Sequence, residues 1–283
     1  MTTASPIVDA HHHFWDPAEA DYPWLTDELA AIRRRFGPED LEPLLAAAAV
    51  DRTILVQTRS SVGETEAFLA TAARTPFIAG VVGWVDLLDP GVADALAQLR
   101  GGIGGQNLVG IRHQVHDEPD PDWLRRSEAR RAIAAVGASG LAYDLLVRSR
   151  ELQAALDTVR ALPDVRFVID HLAKPPIRDG KLQPWAELIR PFGDLGNVWC
   201  KVSGLVTEAD WATWQPDDLA PFVTHALDVF GPDRLLFGSD WPVCLLAATY
   251  GEALDTARTT LAGLSGDERA AVFGGNAVEV YRL

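Results

Sequence analysis

Residues 7–17 read IVDAHHHFWDP, an apolar run that breaks into three consecutive histidines, His11, His12 and His13. An extended strand sends successive side chains to opposite faces. On a regular strand His11 and His13 therefore project to one side with Asp9, while Ala10 and His12 project to the other. Two imidazoles then converge on one point. A purification tag also places histidines near a terminus, but tags run longer and are bounded by linker residues, whereas this triplet sits between Val8-Asp9 and Phe14-Trp15.

Seven further runs have the same β-rich character: RTILVQT, FIAGVVGWV, LVGIRHQVH, LAYDLLV, VRFVIDHL, NVWCKVSGL and RLLFGSDWP. Between them lie stretches with helical spacing, such as GETEAFLATAART and SRELQAALDTVRAL. Eight strands alternating with helices imply an α/β protein with the (β/α)8 TIM barrel fold, in a single domain over residues 1–283. The segment 14–50 is long for a connection and carries Tyr22 and Trp24 before a helix expected near residues 41–49, so it is a candidate lid. A doubly wound open sheet would need a glycine-rich phosphate turn after the first strand, and histidines stand there instead. The glycines of GGIGGQNLVG at 101–110 precede a strand and fit an αβ loop.

The chain has 283 residues, 48% of them hydrophobic, with 25 basic against 40 acidic side chains and a formal charge of -15. That charge opposes attraction to nucleic acid or to anionic membrane surfaces and favours a small-molecule partner. No run approaches the roughly 18 apolar residues of a membrane span, and the first residues lack a basic region followed by an apolar one. Cys200 and Cys244 are too few for a disulfide scaffold and suit reduced thiols, so a soluble cytoplasmic protein is expected. The sequence leaves the oligomeric state open.

Chemistry in such a barrel occurs at the C-terminal ends of the strands. Polar residues gather there: His11 and His13 on the first strand, Arg112 and His113 on the fourth, Asp144 on the fifth, Asp170-His171 on the sixth, Lys201 and Ser203 on the seventh, Ser239-Asp240 on the eighth. Together DAHHHFWD, GIRH, IDHLAKP, KVSGL, LLFGSDWPV and FGGNAVEVYRL resemble the amidohydrolase superfamily. Within it they are most similar to the amidohydrolase-2 branch of sugar-acid lactonases, of the L-fuconolactonase and L-rhamnonolactonase type, and the resemblance spans essentially the whole chain.

The resemblance implies that His11, His13, His171 and Asp240 are the catalytic residues. At strand five, metal-dependent relatives present a histidine and this chain has Asp144, which argues against a binuclear centre. It also implies that lactonases of this branch manage without a required metal, so either no cofactor is needed or one divalent cation, zinc or similar, sits on His11, His13, His171 and Asp240. Arg112, His113, Asp144, Lys201, Trp24 and Trp84 are the substrate-binding candidates, Lys201 either stabilising an oxyanion or bridging to Asp144. The function expected is opening of a sugar-acid lactone by water that Asp240 activates. The alternatives are a metal-dependent decarboxylase of an aromatic or unsaturated acid, for which Arg59, Arg112 and Arg148 would bind carboxylate, and a non-catalytic sugar-acid binder.

Overall fold

The computed structural model describes residues 6–283. Eight strands run in sequence order: β1 (Val8–His12), β2 (Arg52–Val56), β3 (Ile78–Gly83), β4 (Leu108–His113), β5 (Ala142–Leu145), β6 (Phe167–Ile169), β7 (Val198–Val202) and β8 (Leu235–Phe237). Each lies within one of the eight runs read from the sequence, and each pairs in parallel with the next. Helices including Val62–Ala72, Ser127–Ala138, Leu152–Ala161 and Pro216–Phe230 surround the strands, which makes the molecule a (β/α)8 barrel. Among the described residues no helix is long and apolar enough to cross a membrane.

The alternating faces of the strands divide the apolar core in two. Leu55, Val81, Ile111 and Phe167 face the helix layer and pack with residues such as Leu69 and Ile133. Val8, Ile54, Val82, Val168 and Leu236 point inward and fill the lower barrel. Burying each such side chain stabilises the fold by roughly 1.5–3 kcal/mol. A short helix, Asn276–Tyr281, packs beneath the inner set, and Asn276 Nδ2 donates to the carbonyls of Pro232 and Leu235 at 2.8 and 2.7 Å.

Closure joins the first strand to the segment after the eighth. His13 N donates to Trp241 O at 2.7 Å and Asp240 N to His11 O at 2.8 Å. Asp9 locks the same seam by accepting from Ser239 N at 2.8 Å and from the Tyr250 hydroxyl at 3.1 Å. Here the local alternation expected of β1 fails. Asp9 pairs with Thr53 but His12 pairs with Leu55, so three residues of β1 advance against two of β2. That extra residue is a bulge, which re-aims the side chains around it. Asp9 parts company with His11 and His13, and Ala10 joins the inner apolar set. His11 and His13 still meet.

His12 points away from both, into a buried site where its Nε2 lies 2.9 Å from Thr53 Oγ1. Burial, then the neighbouring His13, pushes its pKa from 6.5 down to about 3. The unfolded chain therefore takes up a proton that the folded chain refuses. The stability this histidine contributes is present above pH 6.5 and is lost as the pH falls from there toward about 3. Urea unfolding across this window should show His12→Asn flattening the acid slope by up to about 1.4 kcal/mol per pH unit. An unchanged slope would show that His12 is not held neutral.

Candidate active site

Closure of the barrel is what brings Asp240 to the histidine pair. His11 Nε2 and His13 Nε2 are 3.2 Å apart. Asp240 Oδ1 lies 3.7 Å from the former and 3.4 Å from the latter. His171 Nε2 approaches the same oxygen at 4.0 Å, and its Nδ1 lies 2.9 Å from Ser203 Oγ. His13 Nδ1 is 2.8 Å from the Val56 carbonyl, which can only accept, so Nδ1 carries a proton and the ring turns Nε2 toward Asp240.

The backbone works hard to present these groups. Asp240 adopts φ of 56°, and His171, Leu172, Ala173 and Lys174 are all left-handed, with φ between 50° and 59°. Such a conformation costs an ordinary residue roughly 1–2 kcal/mol. The turn is held by the Trp185 indole, which donates to Leu172 O at 2.6 Å, and by Lys174 bonded to Glu208 at 2.6 Å. Two glycines make room. A Cβ on Gly238 would stand 2.7 Å from His11 Cβ, and one on Gly204 would stand 2.6 Å from His171 Nδ1 and 2.8 Å from Asp240 Oδ2.

Beneath the histidines lies a network of buried charges. Lys201 Nζ contacts Asp144 Oδ2 at 2.6 Å, Asp170 Oδ1 at 2.9 Å and His11 Nδ1 at 3.2 Å. Arg112 donates to Asp170 Oδ2 at 2.9 Å, reaches the Gln57 carbonyl, and brings Nη1 within 3.2 Å of His11 Nε2. Burial raises both carboxyls, but the Lys201 charge, the His11 imidazole and the Arg112 charge overcome it at Asp170 and hold that group well below the carboxylate range. Asp144, facing Lys201 alone among cations, is left at about 6. Burial likewise lowers His171 to about 4 and His11 well below its ordinary value, so both are neutral at pH 7. Burial alone would raise Asp240, yet His171, His13 and Lys174 bring it below the usual value, so it is ionised.

A cleft of about 270 Å³ opens above Asp240, and His13, His171, Arg112 and Trp24 line it. Four of the expected substrate contacts are placed elsewhere. Asp144 and Lys201 are fully buried under the histidines, paired with each other at 2.6 Å, and neither lines the cleft. His113 follows Arg112 on β4 and faces the other way, stacked 4.4 Å from Trp123, bonded to Glu118 at 2.8 Å and to the Trp84 indole at 3.0 Å. Trp84 is thereby turned away from the cleft as well. In their stead the wall carries Thr58, Gln114, His116, Arg148 and Lys174. Arg148 and His116 follow strand ends, a signal the sequence contained, whereas Lys174 enters only through the left-handed turn.

The donor set suits a single divalent ion. Zinc bonds of about 2.0–2.1 Å in tetrahedral geometry imply donor separations near 3.3 Å, against 3.2, 3.4 and 3.7 Å among His11 Nε2, His13 Nε2 and Asp240 Oδ1. The Nδ1–H of His13 on a carbonyl is the outer contact that orients a ligating imidazole. On strand five the chain has Asp144, which is bonded to Lys201 of β7 at 2.6 Å.

A parallel barrel with a His-x-His strand, a sixth-strand histidine and an eighth-strand aspartate converging at its C-terminal mouth defines a hydrolytic barrel enzyme. The chain belongs to the amidohydrolase family, whose model matches residues 8–283. It is 43% identical to the L-fucono-1,5-lactonase of Burkholderia ambifaria, over 98% of this chain and 95% of that protein. It is 40% identical to the L-fucono-1,5-lactonase of Burkholderia multivorans, over 98% and 96%. A crystal structure of an amidohydrolase from Burkholderia multivorans with bound zinc superposes with a TM-score of 0.93 at 39% identity, covering 98% of this chain and 99% of that one.

Gly204→Ala is the sharpest probe of this crowded floor, because the new methyl must displace His171 or Asp240 and Gly204 itself has φ of 63°. We expect a fold that is retained by circular dichroism and kcat/KM reduced about a hundredfold, the scale of an ångström-sized misplacement. Wild-type activity in this variant would contradict the placement of the two side chains.

Proposed function

We propose that the protein hydrolyses sugar-acid lactones to the open aldonic acids, with L-fucono-1,5-lactone as its leading substrate. The observation that carries this is the ionised Asp240 carboxylate, set among three imidazoles at the floor of a polar cleft, in a chain more than 40% identical to a lactonase along nearly its whole length. Asp240 Oδ1 accepts a proton from water held between it and His13 as that water attacks the lactone carbonyl; collapse of the tetrahedral intermediate then breaks the bond from the carbonyl carbon to the ring oxygen, and Asp240 returns the proton to the released hydroxyl. Arg112 receives the charge that develops on the carbonyl oxygen, since it lines the cleft while Lys201 is sealed below it. His171 orients the reacting group, fixed by Ser203. A divalent ion on His11, His13 and Asp240 would supply further polarisation of the carbonyl and a lower water pKa.

The cleft also matches a polyol lactone in character. Gln114, Thr58 and Arg148 offer hydrogen bonds, and Leu29, Leu146 and Val243 offer apolar surface that suits the methyl group of a deoxy sugar. Trp24 and Leu29 come from segment 14–50, which we assign as the lid of the single domain. The two buried free thiols, Cys200 and Cys244, fit a reducing cytoplasm. The decarboxylase reading has less support. Of its three arginines, Arg59 is held at 3.3 Å by Glu64 and does not line the cleft.

A panel of 1,5- and 1,4-lactones, followed by acid release with chelator-treated and zinc-restored protein, tests the assignment. L-Fucono-1,5-lactone should be the best or near-best substrate, and Asp240→Asn should lower its turnover by about 10²- to 10⁴-fold, the share of a general base. A folded Asp240→Asn variant with wild-type turnover, or a panel with no turnover at all, would overturn it.

A further inference from the structure

His113 and Trp84 stand outside the cleft, yet the loop that follows β4 forms part of the cleft wall through Gln114, His116 and Asp117. We propose that His113 is a positioning residue for substrate binding, which ties Glu118 to Trp84 and so holds the loop 114–118 where the lactone meets it.

The tie starts from a rigid support. Trp84 follows β3, and its backbone N–H donates to Thr65 Oγ1 at 2.8 Å while that hydroxyl donates to the Trp84 carbonyl at 2.9 Å. Thr65 is fully buried on the helix Val62–Ala72, and Gly83 leaves room for it, since a Cβ there would overlap Thr65 Cγ2. An indole N–H can only donate, so the 3.0 Å bond from Trp84 Nε1 makes His113 Nδ1 an acceptor. The ring N–H is then at Nε2, which donates to Glu118 Oε1 at 2.8 Å. Trp123 covers the imidazole, with centroids 4.4 Å apart and planes within 13° of parallel, and so fixes the plane of the ring.

The loop has a second support on the side of β5. His116 N donates to Leu146 O at 3.1 Å, and Arg150 Nη2 donates to His116 O at 3.3 Å and to Glu118 O. The His113 bond runs the other way, to β4 and through Trp84 to β3. The loop is thus slung between two anchorages, and loss of the His113 bond lets Gln114, His116 and Asp117 shift at the cleft wall. His11, His13, His171 and Asp240 stand on other segments, and Arg112 keeps its own bonds to Asp170 and Gln57. Such a shift therefore weakens the hold on substrate and spares the chemical step.

His113→Phe keeps a ring over Trp123 and removes both hydrogen bonds. Glu118→Ala breaks the same tie from its more exposed end and decides the matter should the first variant fail to fold. Hydrogen–deuterium exchange over residues 114–118 reads the loop directly. Kinetics on L-fucono-1,5-lactone read its consequence and rest on the lactonase reading. Each variant should speed exchange in 114–118 and raise KM roughly tenfold with kcat within about twofold, the scale of one hydrogen bond to a charged group. The double variant should cost no more than either alone. His113→Gln keeps an N–H where Nε2 stands and should restore much of the wild-type KM, whereas His113→Asn reaches only as far as Nδ1 and should not. Unchanged exchange in both His113→Phe and Glu118→Ala, a loss of kcat at constant KM, or equal behaviour of the Gln and Asn variants would overturn the proposal. Absence of lactone turnover in the wild type would instead sink the function while the exchange still decides this inference.

Discussion

The carboxylate of Asp170, held between Lys201 and Arg112 in the dry interior of the barrel, is the contact on which the site depends. Charges this deeply buried are tolerated only when paired and hydrogen bonded, and removing one member of such a pair typically costs about 3–5 kcal/mol. Here two carboxylates, Asp144 and Asp170, are set against one ammonium and one guanidinium, and all four side chains are nearly or fully buried. The arrangement is locked because no member can move without stranding another. His11 sits on top of it, in contact with Asp170, Lys201 and Arg112 at once.

From that base the rest of the site is assembled by the closure of the sheet. β1 and the end of β8 lie more than two hundred residues apart in sequence and meet only because the barrel closes. The backbone bonds that close it are made by the residues that carry the chemistry, Asp240 to His11 and His13 to Trp241. The strained, left-handed residues Asp240 and His171 to Lys174 cluster at the same mouth. Local strain of this kind persists where surrounding structure over-determines it, and here the surrounding structure is the barrel seam, the Trp185 indole and the Lys174–Glu208 pair.

Much of this was legible in the sequence. All eight strands lie within the runs that apolar patterning marks, because parallel strands buried on both faces need continuous hydrophobic segments. The four motif residues His11, His13, His171 and Asp240 come together because strand ends share one mouth. What escaped were the features that depend on exact pairing. A bulge is invisible to alternation, so Asp9 was grouped with the histidines it turns away from. Arg112 and His113 are adjacent in sequence and part on the strand, which carried His113 and Trp84 to the outer side. Lys201 and Asp144 are polar and at strand ends, yet they sit one layer too deep to touch a ligand and serve each other instead. Gly204 lies within the KVSGL motif, but its importance comes from His171 and Asp240, which stand opposite it and are far away in sequence.

The most direct measurement of the central claim is hydrolysis of L-fucono-1,5-lactone in H₂¹⁸O, with the product aldonate analysed by mass spectrometry at early times. Attack of Asp240-activated water on the carbonyl carbon predicts enzyme-dependent acid release above the spontaneous rate, with one ¹⁸O in the carboxylate and none in the released ring hydroxyl. Label in the hydroxyl, or acid release no faster than without the protein, would contradict it.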